Sequence, residues 1–386
     1  MIVLRNQLYL CMAILLCIFP LPLAADQTDL DVYDRQTWMA LRYHFQMLTR
    51  DSRALPIRIL HIGDSHTEAP DFSGRLRKLV QQRFGDSGPG FLQPCNLLDT
   101  PQRHLGGGQS YSNWVCMRER KQNKTSGASL GGFAAYNQIP YQFLGYRVFN
   151  SNKSGRLILY TDPEVTSHSR FKVFYERVEI APITHALNGR SFYELPPIGG
   201  HLEILSRTGG EMPRLRALNL LHEIPGVSYS IIGIKGASFN ILQEWRGETV
   251  RLQMSDCRPD LLMLEFGTND VVAHEFSREA FIKTLRKTED WIGEYANHAA
   301  VLMILPPDLP RHEMPVQENL SILREQIRIS AKKNGWIVWD WSHAIENASG
   351  SRAGVDKFYS QDGVHLTQAG YLQSANQLFE ALWGGL

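Results

Sequence analysis

Acyl transfer by a nucleophilic side chain needs a hydroxyl or thiol, a base, an acid that orients the base, and donors for the oxyanion. The stretch Gly63-Asp64-Ser65-His66 closes the apolar run Ile57-Arg58-Ile59-Leu60-His61-Ile62. A serine there sits at the C-terminal edge of a buried strand, where open α/β sheets bind their ligands. Near the other end, Asp362-Gly363-Val364-His365 places an acid three residues ahead of a histidine. Asp362 can orient the His365 ring and stabilise its charged form, leaving the second ring nitrogen to take the Ser65 proton. Two further positions offer oxyanion donors. Asn269, in Gly267-Thr268-Asn269-Asp270, follows the run Leu261–Phe266, and Gly236 follows Tyr229–Ile234. A glycine N–H can approach a ligand closely because no Cβ intervenes. The Ser65 N–H would be the third donor.

Each piece has a duller meaning. Gly-Asp-Ser is common in turns, and Asp-x-x-His can be a helix cap with a solvated ring. His66 reads as a packed histidine as readily as a functional one. The joint pattern is stronger, because every piece falls after an expected strand or before the last expected helix, in one consistent order.

The elements that must carry these residues are legible. After Ser65, the residues Phe72, Leu76, Leu79, Val80 and Phe84 form an apolar stripe at helical spacing, with Pro70 in the first turn and Gly85 at the end. From Val227 onward, strand-like and helix-like segments alternate. Tyr229–Ile234, Leu261–Phe266, Val301–Leu305 and Trp336–Asp340 read as strands. Ser238–Asp256, a segment capped by Ser277, a stripe of Val316, Leu320, Leu323 and Ile327, and Thr367–Leu382 read as helices. Such alternation means a parallel sheet covered on both faces.

Residues 96–225 differ in style. Tyr146–Phe149, Arg156–Tyr160, Phe171–Ile180 and His201–Leu205 alternate polar with apolar, and Asn188-Gly189 is a hairpin signal. The expected organisation is a first catalytic part at 26–95, an inserted β-sandwich at 96–225, and a second catalytic part at 226–386.

Composition narrows the class. Hydrophobic residues make up 43% and charged residues 20%, with a formal net charge of +1. That balance gives no pointer to nucleic acid or an anionic membrane. In residues 1–25, Arg5 is the only charge, Leu8–Leu23 is apolar, and Ala24-Ala25 precede Asp26. This is the pattern of a secretory signal peptide cleaved near Ala25. An uncleaved membrane anchor is the alternative, although a span needs roughly 20 apolar residues. An exported, periplasmic protein is expected, with no stable membrane span after cleavage. An oxidising compartment would allow a Cys95–Cys116 disulfide; three unpaired thiols at Cys95, Cys116 and Cys257 fit the sequence equally well.

The ordered set Gly-Asp-Ser65, Gly236, Gly-x-Asn269-Asp and Asp362-x-x-His365 resembles the four blocks of the SGNH/GDSL hydrolases. His66 stands where that signature usually has leucine. The resemblance implies a flavodoxin-like three-layer α/β/α fold. It also implies Ser65 as nucleophile, His365 as base, Asp362 as its orienting acid, and Ser65, Gly236 and Asn269 as oxyanion donors. A narrower similarity to the peptidoglycan O-acetylesterase branch is carried by Gly-Asp-Ser-His-Thr with Asp71-Phe72, Gly88-Pro89-Gly90-Phe91, Trp339-Asp340-Trp341, and Gly363-Val364-His365-Leu366-Thr367 with Gly370-Tyr371. That branch carries a carbohydrate-module-like β-sandwich between its first two blocks. It implies an esterase that takes O-acetyl groups from the C6 hydroxyl of N-acetylmuramoyl residues, with the peptidoglycan glycan strand as partner and no cofactor or metal. Acetyl transfer to another sugar, hydrolysis of a different acetylated polysaccharide, and glycan binding without catalysis are the competing readings. A metal hydrolase built on His61, Asp64 and His66 is a further alternative, though the spacing matches no zinc motif.

Overall fold

The computed structural model describes residues 30–94, 108–110, 114–119, 128–148, 154–162, 170–185, 188–197, 200–210, 214–222, 224–272, 275–349 and 356–386. The expected signal peptide and Cys95 lie outside the described residues.

The centre is a six-stranded sheet in the order Leu30–Val32, Ile337–Asp340, Ala300–Leu305, Leu261–Glu265, Ile57–Gly63, Val227–Gly233. All neighbours are parallel except the first pair. Side chains of successive strand residues enter different cores. Ile57 and Ile59 join one apolar cluster while Leu60 and Ile62 join the other; Leu261 and Met263 alternate in the same way with Leu262 and Leu264. A sheet covered on both faces needs apolar residues at every position, which is why these strands read as continuous runs rather than alternating ones. Helices on each side complete three layers. The stripe Leu76, Val80 and Phe84 of the Arg75–Phe84 helix is buried as expected, and each such side chain contributes about 1.5–3 kcal/mol by leaving water.

Register decides where the chemistry gathers. Gly63 is paired with Gly233 on one side and with Glu265 on the other. Three strands therefore end side by side, and the loops bearing Ser65, Gly236 and Asn269 leave from one edge of the sheet.

Two expected elements are divided. Ser238–Asp256 is not a single helix; a 3₁₀ turn at Phe239–Gln243 precedes an α-helix at Glu248–Cys257. Gly247 interrupts them with φ +110°, a conformation closed to most L residues. Phe171–Ile180 is a hairpin, Phe171–Tyr175 and Val178–Ile180, whose turn residues Glu176 and Arg177 have φ of 49° and 64°. Asn188 and Gly189, both with positive φ, turn the chain between Thr184–His185 and Arg190–Leu195, as the hairpin signal predicts.

Between Gly90 and Leu221 the described strands are antiparallel and form a five-stranded and a seven-stranded sheet. Leu144, Val173 and Leu202 of one share an apolar cluster with Leu157, Tyr193 and Leu218 of the other. This region is seated on the α/β layer. Phe91, Leu130, Ile158, Tyr160 and Ala217 belong to the same core as Trp245 and Met254. Asp256, on the Glu248–Cys257 helix, accepts the Tyr160 hydroxyl at 3.0 Å and the Arg190 guanidinium at 3.1 Å. Cys116 is disulfide-bonded, whereas Cys257 is a buried free thiol.

Candidate active site

Ser65 is the first residue of a four-residue helical turn, Ser65–Glu68. Asp64 caps it: its Oδ1 accepts the His66 N–H at 2.9 Å, while its own N–H donates to the Glu265 carbonyl at 3.1 Å. The turn lies so close to the neighbouring strand that a Cβ on Gly63 would be 2.1 Å from Thr67 Oγ1 and 2.5 Å from the Glu265 carbonyl oxygen. Only glycine fits, which gives the first letter of Gly-Asp-Ser a steric cause.

The Ser65 hydroxyl lies 2.9 Å from His365 Nε2, and His365 Nδ1 lies 2.7 Å from Asp362 Oδ2. With Nδ1–H donated to the carboxylate, Nε2 is the free lone pair that receives the serine proton. Asp362 is itself held. Its Oδ1 accepts the N–H groups of Val364 and His365, each at 2.9 Å, and the Ser360 hydroxyl at 2.5 Å. Partial burial pulls the Asp362 carboxyl upward, but the bonds from Ser360 and His365 outweigh it and hold the group well below the usual carboxylate range. The segment is closed at its base by Ser360 N–H to the His365 carbonyl at 2.8 Å and Thr367 N–H to the Phe358 carbonyl at 2.8 Å.

Of the three expected oxyanion donors, the N–H groups of Ser65 and Gly236 have no hydrogen-bond partner among the described residues. Gly236 has φ +72°, and a Cβ there would meet nothing within 4 Å, so the turn borders open space on that side. Asn269 is engaged: Nδ2 donates to the Ala237 carbonyl at 2.9 Å and to Asp64 Oδ2 at 3.2 Å. This fixes the amide, and an arriving oxyanion must share or displace the longer bond.

His66 and His61 face different interiors. The buried His66 ring places Nδ1 2.9 Å from the Tyr371 hydroxyl and packs edge-on to Trp341 with centroids 5.4 Å apart. Its centroid is 5.5 Å from that of His365. Burial, then the His365 charge, push its pKa down to about 3. His61 pairs with the Tyr229 hydroxyl at 3.1 Å and with Thr67 Oγ1 at 3.2 Å, and burial lowers it to about 3 as well. The set His61, Asp64 and His66 does not converge on a metal position, and among the described residues no group of three such ligands does.

Residues 206–372 match the model of the GDSL-like Lipase/Acylhydrolase family. A solved peptidoglycan O-acetylesterase superposes with a TM-score of 0.69 at 22% identity, over 92% of this chain and 98% of that one. Over nearly its whole length the chain has the fold of that solved esterase. Smaller overlaps occur with a GDSL-like lipase from Parabacteroides merdae ATCC 43184, at 20% identity, TM-score 0.34, and 41% and 72% coverage. A family two carbohydrate esterase from Cellvibrio japonicus gives 12% identity, TM-score 0.30, and 71% and 97% coverage. No curated protein matches the sequence. Within the matched residues 206–372, sequence reasoning left Ser360, Glu265 and the Tyr371 hydroxyl without roles. Glu265 had a visible signal, as a lone carboxylate in the apolar run Leu261–Phe266.

Proposed function

We propose that the chain is a serine carboxylic ester hydrolase that removes O-acetyl groups from the C6 hydroxyl of N-acetylmuramoyl residues in exported peptidoglycan. The observation that carries the chemistry is the line Ser65 Oγ, His365, Asp362, with contacts of 2.9 and 2.7 Å. Ser65 Oγ attacks the acetyl carbonyl carbon as its proton passes to His365 Nε2. The N–H groups of Ser65 and Gly236 and the Asn269 amide hold the oxyanion. The bond from carbon to the sugar oxygen then breaks, and that oxygen takes the proton from Nε2. Water attacks acetyl-Ser65 by the same route, giving acetate and restoring the serine hydroxyl.

The substrate class is supported by the likeness in fold, across nearly the whole chain, to a peptidoglycan O-acetylesterase. Export through cleavage near Ala25 belongs to the same proposal, and N-terminal sequencing of the secreted protein tests it. Among the described residues no helix is long and apolar enough to cross a membrane. Acetate release from O-acetylated peptidoglycan, O-acetylated xylan and p-nitrophenyl acetate tests the activity. The peptidoglycan should be preferred, and Ser65→Ala should release no acetate while keeping its circular dichroism. A preference for xylan would sink the substrate; wild-type rates in Ser65→Ala would sink the nucleophile.

A further inference from the structure

Glu265 is fully buried at the end of a central strand, beneath the nucleophile turn. Its Oε2 accepts the Thr67 N–H at 3.1 Å and the Thr67 hydroxyl at 2.9 Å. Its Oε1 is also buried and, taken as a carboxylate oxygen, has no donor among the described residues. The side chain it meets is Asp64, another fully buried acid. Two carboxylates touching in a dry site cannot both be charged. Both oxygens of Asp64 already receive N–H donors, from His66 on Oδ1 and Asn269 on Oδ2. Such bonds favour the ionised form. The proton therefore belongs on the Glu265 oxygen that lacks a donor, where it fills the vacant bond and removes the repulsion together.

We propose that Glu265 is a neutral carboxylic acid whose Oε1–H donates to Asp64, and that this bond positions Asp64, and through it the Asn269 amide, for the developing oxyanion. The link to turnover rests on the ester-hydrolase reading; the protonation does not. Glu265 is a positioning residue, acting on the reaction only through Asp64 and Asn269. The pattern also orders the deeper groups. Thr67 gives its one hydroxyl proton to Glu265, so it accepts from His61 Nε2–H, and His61 Nδ1 accepts the Tyr229 hydroxyl. Burial raises the pKa of both acids, and the Asp64 charge raises that of Glu265 further. The other ionisable groups around the pair are His61 on the adjoining strand, Asp270 on the short helix, His365 beside the nucleophile and Tyr371 on the last helix. Deprotonating Glu265 would set a second charge against Asp64 and break the bond.

The test uses full-length Glu265→Gln and Glu265→Ala, with p-nitrophenyl acetate kinetics against pH and infrared difference spectra. A glutamine amide donates to Asp64 and its oxygen accepts from Thr67, so Gln should keep kcat within about threefold, and Ala should lower kcat about 10²-fold with KM little changed. In the difference spectrum of wild type minus Glu265→Gln at neutral pH, the wild type should show the carbonyl band of one more protonated acid, over and above that of Asp270, and its kcat should fall at alkaline pH where that of Glu265→Gln does not. No such band in the wild type, or a Gln variant as impaired as Ala, overturns the proposal. Because the band is read without turnover, it decides the protonation even if the wild type hydrolyses no ester, an outcome that would sink the catalytic reading and the positioning role with it.

Discussion

The Tyr371 hydroxyl is joined to His66 Nδ1 across 2.9 Å, between residues 305 positions apart. Tyr371 also receives the Leu366 backbone N–H, so its own proton points to His66. One phenol thus ties the residue after the nucleophile to the residue after the base. Tyr371→Phe leaves the His66 nitrogen and the Leu366 N–H buried without partners, a cost of about 1–3 kcal/mol each. It should also lower kcat by up to about 10²-fold, because small misplacements of reacting groups are costly. Urea unfolding and p-nitrophenyl acetate kinetics on the same sample would check both parts.

Asp362 grips His365 twice, through the ring and through the backbone N–H. Asp362→Asn keeps the size but offers an amide donor to the ring, favouring the tautomer with its proton on Nε2. Turnover should drop on the order of 10⁴-fold, while the thermal midpoint changes little. Near-normal kcat would show that Asp362 is not what sets the ring.

Asn269 should contribute mainly when charge develops. Asn269→Ala is expected to reduce kcat by about 10²–10³-fold with KM within a few-fold, as read by acetate release at saturating substrate. A rise in KM at constant kcat would make it a ground-state binding residue instead.

Asp270 gives a pH signature. Its carboxyl turns inward and accepts the Phe239 N–H at 3.3 Å, and burial pushes its pKa up to about 7 from 3.8. A folded-state pKa above the unfolded one means that folding favours the protonated form. Its stabilisation is complete below the unfolded value and is lost as pH rises through the folded value. Asp270→Asn should therefore gain on the wild type in urea-unfolding free energy between about pH 4 and pH 7, by at most about 1.4 kcal/mol per unit, with no further gain above. Parallel curves for the two proteins would place the carboxyl in contact with water.

Much of the site was legible because the chain ends apolar runs on the residues that matter. Ile57–Gly63 and Leu261–Glu265 could be recognised as buried strands, and Ser65 and Asn269 follow them directly. Asp362 and His365 share one tight segment, so their contact needed no knowledge of the fold. What escaped was long-range. No local pattern says that Gly63 will pair with Gly233 and Glu265, or that Asp64 will receive the Asn269 amide. Leu30–Val32, at three residues, is too short to show a period, yet it closes one edge of the sheet. Gly247 falls inside the segment Ser238–Asp256 that reads as one helix, and only its backbone angle reveals the break.

The strands Gly90–Leu92 and Leu215–Leu221 lie hydrogen-bonded to each other where the chain enters and leaves the antiparallel region. By connectivity the region could be cut out and the ends rejoined, because they are already neighbours. By packing it could not. Excision would bare Trp245 and Met254 on the side now covered by Phe91, Leu130 and Tyr160, and would leave Asp256 without the guanidinium and phenol that it meets. A grafted replacement would have to bring its own apolar underside, so the two parts are separable in the order of the chain and inseparable as a folding unit.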